Sequence, residues 1–329
     1  MEINHLKKSF PLSGGILSIL KLERRQYRKA VDDVTLSISR GRTLVIVGES
    51  GSGKTTLARL MLRAIDADSG SIKFEGLDIT HKTGKELRNF RKSVQMIHQD
   101  PYTSLNPRMI ILDIVREPLD IFCKFYSRKE RDEIALGTME DVFLDPVVET
   151  STKRPFMLSG GQRQRVALAR ALTLMPELII ADEAVSMLDV SIRAEILELM
   201  KKLSEERRIS YVYITHDLAT SRYIGDEIAV MYAGKLIETG TVNKVLSKPL
   251  HPYTQFLIQA VSEPDPKNLD FEKLIPIKTD NFGSSESGCP FSNKCQFSMD
   301  ICQVMPLQRE IENNHSVSCN LHDKPKNTV

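Results

Sequence analysis

Nine residues, GESGSGKTT at 48–56, put three glycines, a lysine and two threonines where a phosphate chain could be held. Glycines let the successive backbone N–H groups of Gly48, Glu49, Ser50, Gly51, Ser52 and Gly53 curl toward one anion, and the N-terminus of the helix that follows the loop adds positive potential. Lys54 can reach the terminal phosphates, the Thr55 hydroxyl can ligate Mg²⁺, and Thr56 continues the first helical turn. Such a loop hydrolyses nothing by itself. The stretch LIIADE, 178–183, supplies a buried strand ending in two carboxylates: Asp182 to hold Mg²⁺ through water, and Glu183 to polarise an attacking water as general base. A further strand-like run, ISYVYIT at 209–215, ends in His216 and Asp217. Open α/β sheets bind ligands at the carboxyl ends of their strands, which makes His216 a candidate as well.

These groups need a scaffold. The apolar, β-branched run TLVIV at 43–47 reads as a central strand, and TTLARLMLRAI after the loop reads as a helix. LSGGQRQRVALARAL, 158–172, places Ser159 as cap, then two glycines, then a helix with Val166, Leu168, Ala169 and Leu172 on its apolar side, a second helix terminus able to grip an anion. Residues 31–38 and 71–80 read as an antiparallel β edge, 100–175 as a helical insert, and 241–261 as two short helices. The Pro-, Ser- and charge-rich 263–288 reads as a linker. The insert segment LNPRMIILDIVREPLDIF is apolar at helical spacing, which suits a docking surface or core. No internal repeat is found. The whole predicts an α/β chain of 329 residues: a nucleotide-binding domain over 1–240 and a C-terminal extension over 241–329.

Lys and Arg number 45 against 43 Asp and Glu, spread along the chain, so no nucleic-acid partner is expected. The opening MEINHLKKSF lacks a signal-peptide profile, and runs such as LVIV are far shorter than a membrane span. A cytosolic chain with at most a peripheral membrane role is expected.

Four of the five cysteines, Cys289, Cys295, Cys302 and Cys319, lie at the C-terminal end, with five, six and sixteen residues between them. Cytosolic thiols stay reduced, so disulfides are the minor reading. Zinc ribbons usually begin with ligands two to four residues apart, which argues against structural zinc, whereas four thiolates suit an iron–sulfur cluster. From spacing alone, metal ligands and reduced structural thiols both stay open. His315 and His322 flank Cys319 and could substitute as ligands to zinc. Cys123, among apolar residues of the insert, reads as buried.

The string LSGGQRQRVALARAL resembles the signature motif of ABC-type ATPases. DPYTSLNPRM, HPYTQFLIQAV and the terminal cysteines further resemble the ATPase subunits of oligopeptide and dipeptide importers, a group that includes nickel and some sugar importers. The resemblance implies an ABC-type P-loop core with antiparallel β and helical subdomains, plus a small Cys-rich C-terminal extension. It implies Gln99 as Q-loop glutamine and Mg²⁺ ligand with Thr55 and Asp182, His216 as the γ-phosphate sensor, and Phe10 as the aromatic stacking on adenine, with Tyr27 as competitor across the unusual 11–30 insertion. It implies that ATP on one chain is completed in trans by Ser159, Gly160, Gly161, Gln162 and Asp189 of a second ATPase, usually a paralogue. Two membrane permeases and, indirectly, an extracytoplasmic solute-binding protein are the implied partners, and the cysteines are the implied ligands of a [4Fe–4S] cluster. Two positions depart from the family pattern around Glu183: Ala184 and Met187 stand where Pro and Ala are usual. His98 replaces a common aromatic. None removes a phosphate, Mg²⁺ or water ligand. A soluble ABC ATPase unconnected to transport, or a redox or metal sensor on this fold, is the competing reading.

Overall fold

The computed structural model describes residues 1–11, 27–260 and 288–322; most of the 11–30 insertion and nearly all of the expected linker lie outside them. Two sheets carry the chain. The smaller is antiparallel, in the order β2 (Tyr27–Ser37), β1 (Glu2–Pro11), β4 (Ser69–Phe74), β5 (Leu77–Asp78). Its inward residues Ile3, Leu6, Val31, Val34 and Ile72 are all buried, as alternation on a half-covered sheet requires.

The larger sheet has eight strands in the order β11 (Arg309–Glu312), β12 (His315–Val317), β10 (Lys235–Thr241), β9 (Glu227–Tyr232), β3 (Thr43–Val47), β8 (Ser210–Thr215), β7 (Leu178–Asp182), β6 (Val94–Ile97). From β9 to β6 the pairing is parallel. Every residue of β3, β7 and β8 is buried, because helices cover both faces; that is why these strands read as unbroken apolar runs. The hairpin of β11 and β12 pairs onto β10, so the C-terminal cysteine module extends the sheet that carries the phosphate loop.

The helices are α1 (Lys54–Met61), α2 (Gly84–Ser93), α3 (Pro101–Ser104), α4 (Ile111–Phe122), α5 (Arg128–Asp141), α6 (Val147–Thr152), α7 (Gly160–Leu172), α8 (Val190–Arg207), α9 (Leu218–Ile224), α10 (Val242–Ser247) and α11 (Pro252–Ala260). The insert, α3 to α7, buries the apolar stripe of α4 (Ile111, Ile114, Val115, Leu119) against its neighbours, so most of that stripe is core. Arg116 on α4 binds Asp113 at 2.6 Å and Asp120 at 3.1 Å, and reaches Asp132 of α5 at 2.5 Å, fastening the two helices. Cys123 is buried beside Leu119 and Leu174, as expected. Among the described residues no helix is long and apolar enough to cross a membrane.

Candidate functional site

The phosphate loop leaves the buried end of β3 at Gly48, exposes Glu49, Ser50 and Gly51, and turns back into α1. Gly53 has φ 105°, and a Cβ there would lie 2.1 Å from the Ala30 carbonyl oxygen on β2. Only glycine allows that turn and that approach. Lys54 is buried and its Nζ donates to the carbonyls of Gly48 (2.7 Å) and Glu49 (2.9 Å). Burial lowers its pKa, while Glu183, Asp182 and Glu49 pull it back up. The ammonium is thus a buried cation satisfied by loop carbonyls, and the buried Ser52 hydroxyl of the same loop has no hydrogen-bond partner among the described residues. A cation and an unused hydroxyl at a glycine-lined turn fit a phosphate.

Three parallel strands deliver the rest at their carboxyl ends. At the end of β7, Asp182 accepts from the Thr55 hydroxyl at 3.4 Å, and burial raises its pKa first of all, with the Thr55 hydrogen bond opposing. Glu183 follows in left-handed backbone conformation, φ 47°. Such a conformation costs a non-glycine residue about 1–3 kcal/mol. Its N–H donates to the Ile214 carbonyl at 2.9 Å, and its carbonyl accepts from both the N–H (3.0 Å) and the hydroxyl (2.9 Å) of Ser186, which holds the turn. Its carboxylate is gripped from both sides: Gln99 Nε2, beyond β6, donates to Oε2 at 2.8 Å, and His216 Nδ1, beyond β8, lies 3.2 Å from Oε1. The sequence-predicted Gln99, Glu183 and His216 therefore meet at one carboxylate, with Asp182, Thr55 and Lys54 alongside. Thr56 occupies the first turn of α1, half-buried.

Ser159 caps α7: its hydroxyl accepts from the Gln162 N–H at 3.3 Å, and the Gln162 side chain accepts from the Ser159 N–H at 3.0 Å. A Cβ on Gly161 would lie 2.5 Å from Ile192 Cγ2, so α7 packs closely on α8 there, and Gly160 lies against Leu188. Asp189 caps α8, accepting from the Ile192 N–H at 3.1 Å. Tyr102 of α3 stacks on the Arg163 guanidinium of α7, 4.0 Å from ring centre, and Arg170 donates to the Ser104 carbonyl at 3.0 Å, so the segment after Gln99 is tied to the signature helix. No hydrogen bond among the described residues joins Ser159–Gln162 to the chain's own phosphate loop.

Phe10 pairs across strands with Arg28, and Tyr27 with Pro11, so both aromatics stand at the same end of the β1–β2 hairpin, exposed. Arg28 donates to the Gly51 carbonyl at 3.3 Å, which brings this hairpin end onto the phosphate loop.

Cys289, Cys295, Cys302 and Cys319 line one cavity of about 20 Å³ together with His251. Burial, reinforced or opposed by smaller effects of neighbouring groups, pushes the Cys289 thiol up to about 11 and the Cys319 thiol up to about 12, so both are neutral thiols. The expected metal centre is not assembled: among the described residues no group of three or more His, Cys, Asp or Glu is placed to hold an ion. His315 and His322, the expected substitutes, are engaged elsewhere: His315 Nε2 lies 2.8 Å from Glu238 in the fully buried interior, and His322 Nε2 lies 3.0 Å from the Leu250 carbonyl. The histidine at the thiols is His251. Its Nδ1 accepts from the Tyr253 N–H at 3.0 Å, which leaves the proton on Nε2, 3.8 Å from Cys289 Sγ. Spacing gave no hint of this partner, 38 residues away in sequence.

A glycine-lined phosphate loop, a neighbouring pair of carboxylates, an antiparallel side sheet and a helical insert whose last helix starts at a Ser-Gly-Gly cap define an ATP-binding cassette. The chain matches the ABC transporter family over residues 31–186 and the family described as "Oligopeptide/dipeptide transporter, C-terminal region" over 237–302. It is 40% identical over 322 residues to the probable peptide ABC transporter ATP-binding protein y4tS of Sinorhizobium fredii, covering 98% of this chain and 89% of that one. It is also 40% identical over 326 residues to the oligopeptide transport ATP-binding protein AppF of Bacillus subtilis, covering 98% and 97%. The structure of the ATP-binding cassette MJ0796 in a dimeric post-hydrolysis state bound to ADP and Pi superimposes with TM-score 0.63 at 27% identity, over 73% of this chain and 98% of that one. The chain belongs to the ABC transporter family, among the oligopeptide and peptide transport ATP-binding proteins.

Proposed function

We propose that this chain is the ATPase that energises import of peptides through a membrane permease, bound peripherally at the cytoplasmic face. The observation that carries the hydrolytic half is the doubly held Glu183 carboxylate beside Lys54, Thr55 and Asp182. Lys54 exchanges its two loop carbonyls for the terminal phosphates; Glu183 takes the proton of the attacking water; Gln99 and His216 fix the carboxylate and report whether the γ-phosphate is there. Thr55, Asp182 and Gln99 would hold Mg²⁺, which would supply charge neutralisation of the phosphates when bound. The aromatic face for adenine is assigned to Phe10. Similarity to peptide and oligopeptide transport ATP-binding proteins carries the transport half.

The exposed cap of Ser159, Gly160, Gly161 and Gln162, with Asp189, is assigned to the ATP of a facing second ATPase, the family's usual partner being a paralogue. Supporting this, the capped terminus makes no hydrogen bond to its own loop among the described residues, and the structure of MJ0796 is dimeric. The permease is assigned to the groove of about 170 Å³ between β6, α4 and α7, lined by His98, Glu117, Ile121, Phe122 and Arg170, one residue from Gln99. The boundary between cassette and extension is kept at 240/241. An extracytoplasmic solute-binding protein delivers the peptide.

A [4Fe–4S] cluster on Cys289, Cys295, Cys302 and Cys319 remains the finer reading of the extension. Their convergence on one cavity supports it; the absence of three ligands at metal-holding distance, among the described residues, speaks against it. Anaerobic isolation of the membrane complex decides: a brown complex with about four irons per chain supports the cluster, and a colourless, iron-free one refutes it. Transport is tested by reconstituting that complex in vesicles. ATP-dependent peptide uptake lost in the Lys54→Ala variant is expected, and undiminished uptake refutes the assignment.

A further inference from the structure

The C-terminal extension touches the phosphate loop. Tyr253, the third residue of the HPYT stretch, is fully buried, and its phenol oxygen accepts the Glu49 N–H at 3.0 Å. In the same peptide segment Lys54 Nζ holds the Gly48 and Glu49 carbonyls. When Lys54 turns to phosphate those two contacts are given up, and the Glu49 carbonyl keeps the Ser52 N–H from within the loop. The stem of the loop is then fastened from outside, at Glu49, by the Tyr253 oxygen. Burial raises the Tyr253 pKa far above its ordinary value, so the group is a neutral phenol at any working pH.

The phenol is itself held by the cysteine module. Its ring packs on Tyr232 (centroids 4.5 Å apart) and edge-on to Phe291 (5.5 Å), and Phe291 also meets Tyr232 edge-on at 5.5 Å. Phe291 lies between Cys289 and Cys295 in sequence. From the other side, the Tyr253 N–H is taken by His251, whose own N–H and that of Leu250 are each held by Glu238 at 2.8 Å. Edge-to-face ring pairs have defined geometry, so a shift of Phe291 displaces the phenol.

We propose that Tyr253 is a positioning residue of the ATP site, fixing the Glu49 peptide of the phosphate loop, and that the cysteine module sets its position through Phe291. This rests on the reading of residues 48–56 as the ATP site. A Tyr whose only role is to fill the core would give none of the following behaviour.

The test uses the intact transporter complex, with ATP as the probe. Tyr253→Phe keeps the three rings and removes one oxygen. Loss of one neutral hydrogen bond corresponds to about a five- to tenfold change. The expected result is that KM for ATP and Kd for ADP both rise about five- to tenfold, while kcat stays within twofold. Phe291→Leu should raise KM in the wild-type background and add less than twofold on top of Tyr253→Phe. An unchanged KM in Tyr253→Phe, a change confined to kcat, or a full independent effect of Phe291→Leu overturns the proposal. Lys54→Ala, measured alongside, keeps the two claims apart. If it abolishes ATP binding while Tyr253→Phe changes nothing, only the positioning role falls; if it binds ATP normally, the ATP-site reading falls too.

Discussion

Acidification from pH 7.5 to 5.0 should destabilise this chain through one buried imidazole. His251 is buried, and burial lowers its pKa to about 3, with the nearby His322 adding to the effect. An unfolded histidine titrates near 6.5. The folded value is the lower one, so the unfolded chain binds the extra proton. The stability is present above pH 6.5 and is lost as pH falls, levelling only near pH 3. At pH 5.0 the unfolded imidazole gains about 1.36 × log(1 + 10^1.5), or about 2 kcal/mol, and at pH 7.5 almost nothing. His98, lowered by burial, acts in the same direction, whereas Asp182, raised by burial, opposes it. Comparison with a variant therefore isolates His251. In His251→Asn an amide oxygen can accept the Tyr253 N–H without titrating. Urea unfolding followed by far-ultraviolet circular dichroism at both pH values, for wild type and variant, is the assay. The wild type should lose about 2 kcal/mol more than the variant between the two pH values. Losses that agree within about 0.5 kcal/mol would refute a neutral, buried His251.

Gly53→Ala must push a Cβ against the Ala30 carbonyl at 2.1 Å with φ at 105°, so nucleotide binding should fall below detection by equilibrium dialysis and the melting temperature should drop. Gly161→Ala places its Cβ 2.5 Å from Ile192 Cγ2 and should wedge α7 from α8. Steady-state ATPase should fall at least tenfold with ADP affinity within twofold of wild type. Glu238→Ala removes the acceptor of His315, Leu250 N–H and His251 N–H in a fully buried place. A loss of about 3–5 kcal/mol in urea unfolding is expected, with the C-terminal module cut first by limited proteolysis.

The placement of Lys54, Thr55, Asp182 and Glu183 was legible because the chemistry expected of them constrains short, contiguous strings. A phosphate loop needs glycines and a lysine at fixed spacing between a strand and a helix, and β3 and α1 fall at 43–47 and 54–61. Asp182 and Glu183 follow a run apolar enough to be a central strand, and the helix announced by Ser159 begins at Gly160. Contacts between distant segments left no such mark. Strand β1, with its bulges against β2, has no clean alternation and was not anticipated. The pairing of β12 with β10 and the bond between Glu49 and Tyr253 join residues more than seventy and two hundred positions apart. The cysteines illustrate both sides. Their clustering was readable, but their geometry depends on a cavity that His251 also lines, and His315 was drawn away by Glu238, a carboxylate inside a strand that spacing cannot link to it.

In the proposed mechanism Glu183, held by Gln99 and His216, draws the proton from the water that attacks ATP on the Lys54 loop. Single-turnover hydrolysis of ATP by the intact complex, wild type against Glu183→Gln, with bound nucleotide counted in parallel, tests it most directly. The expected result is ATP retained at wild-type occupancy and hydrolysis slowed about 10²- to 10⁴-fold. Hydrolysis at the wild-type rate in Glu183→Gln would contradict it.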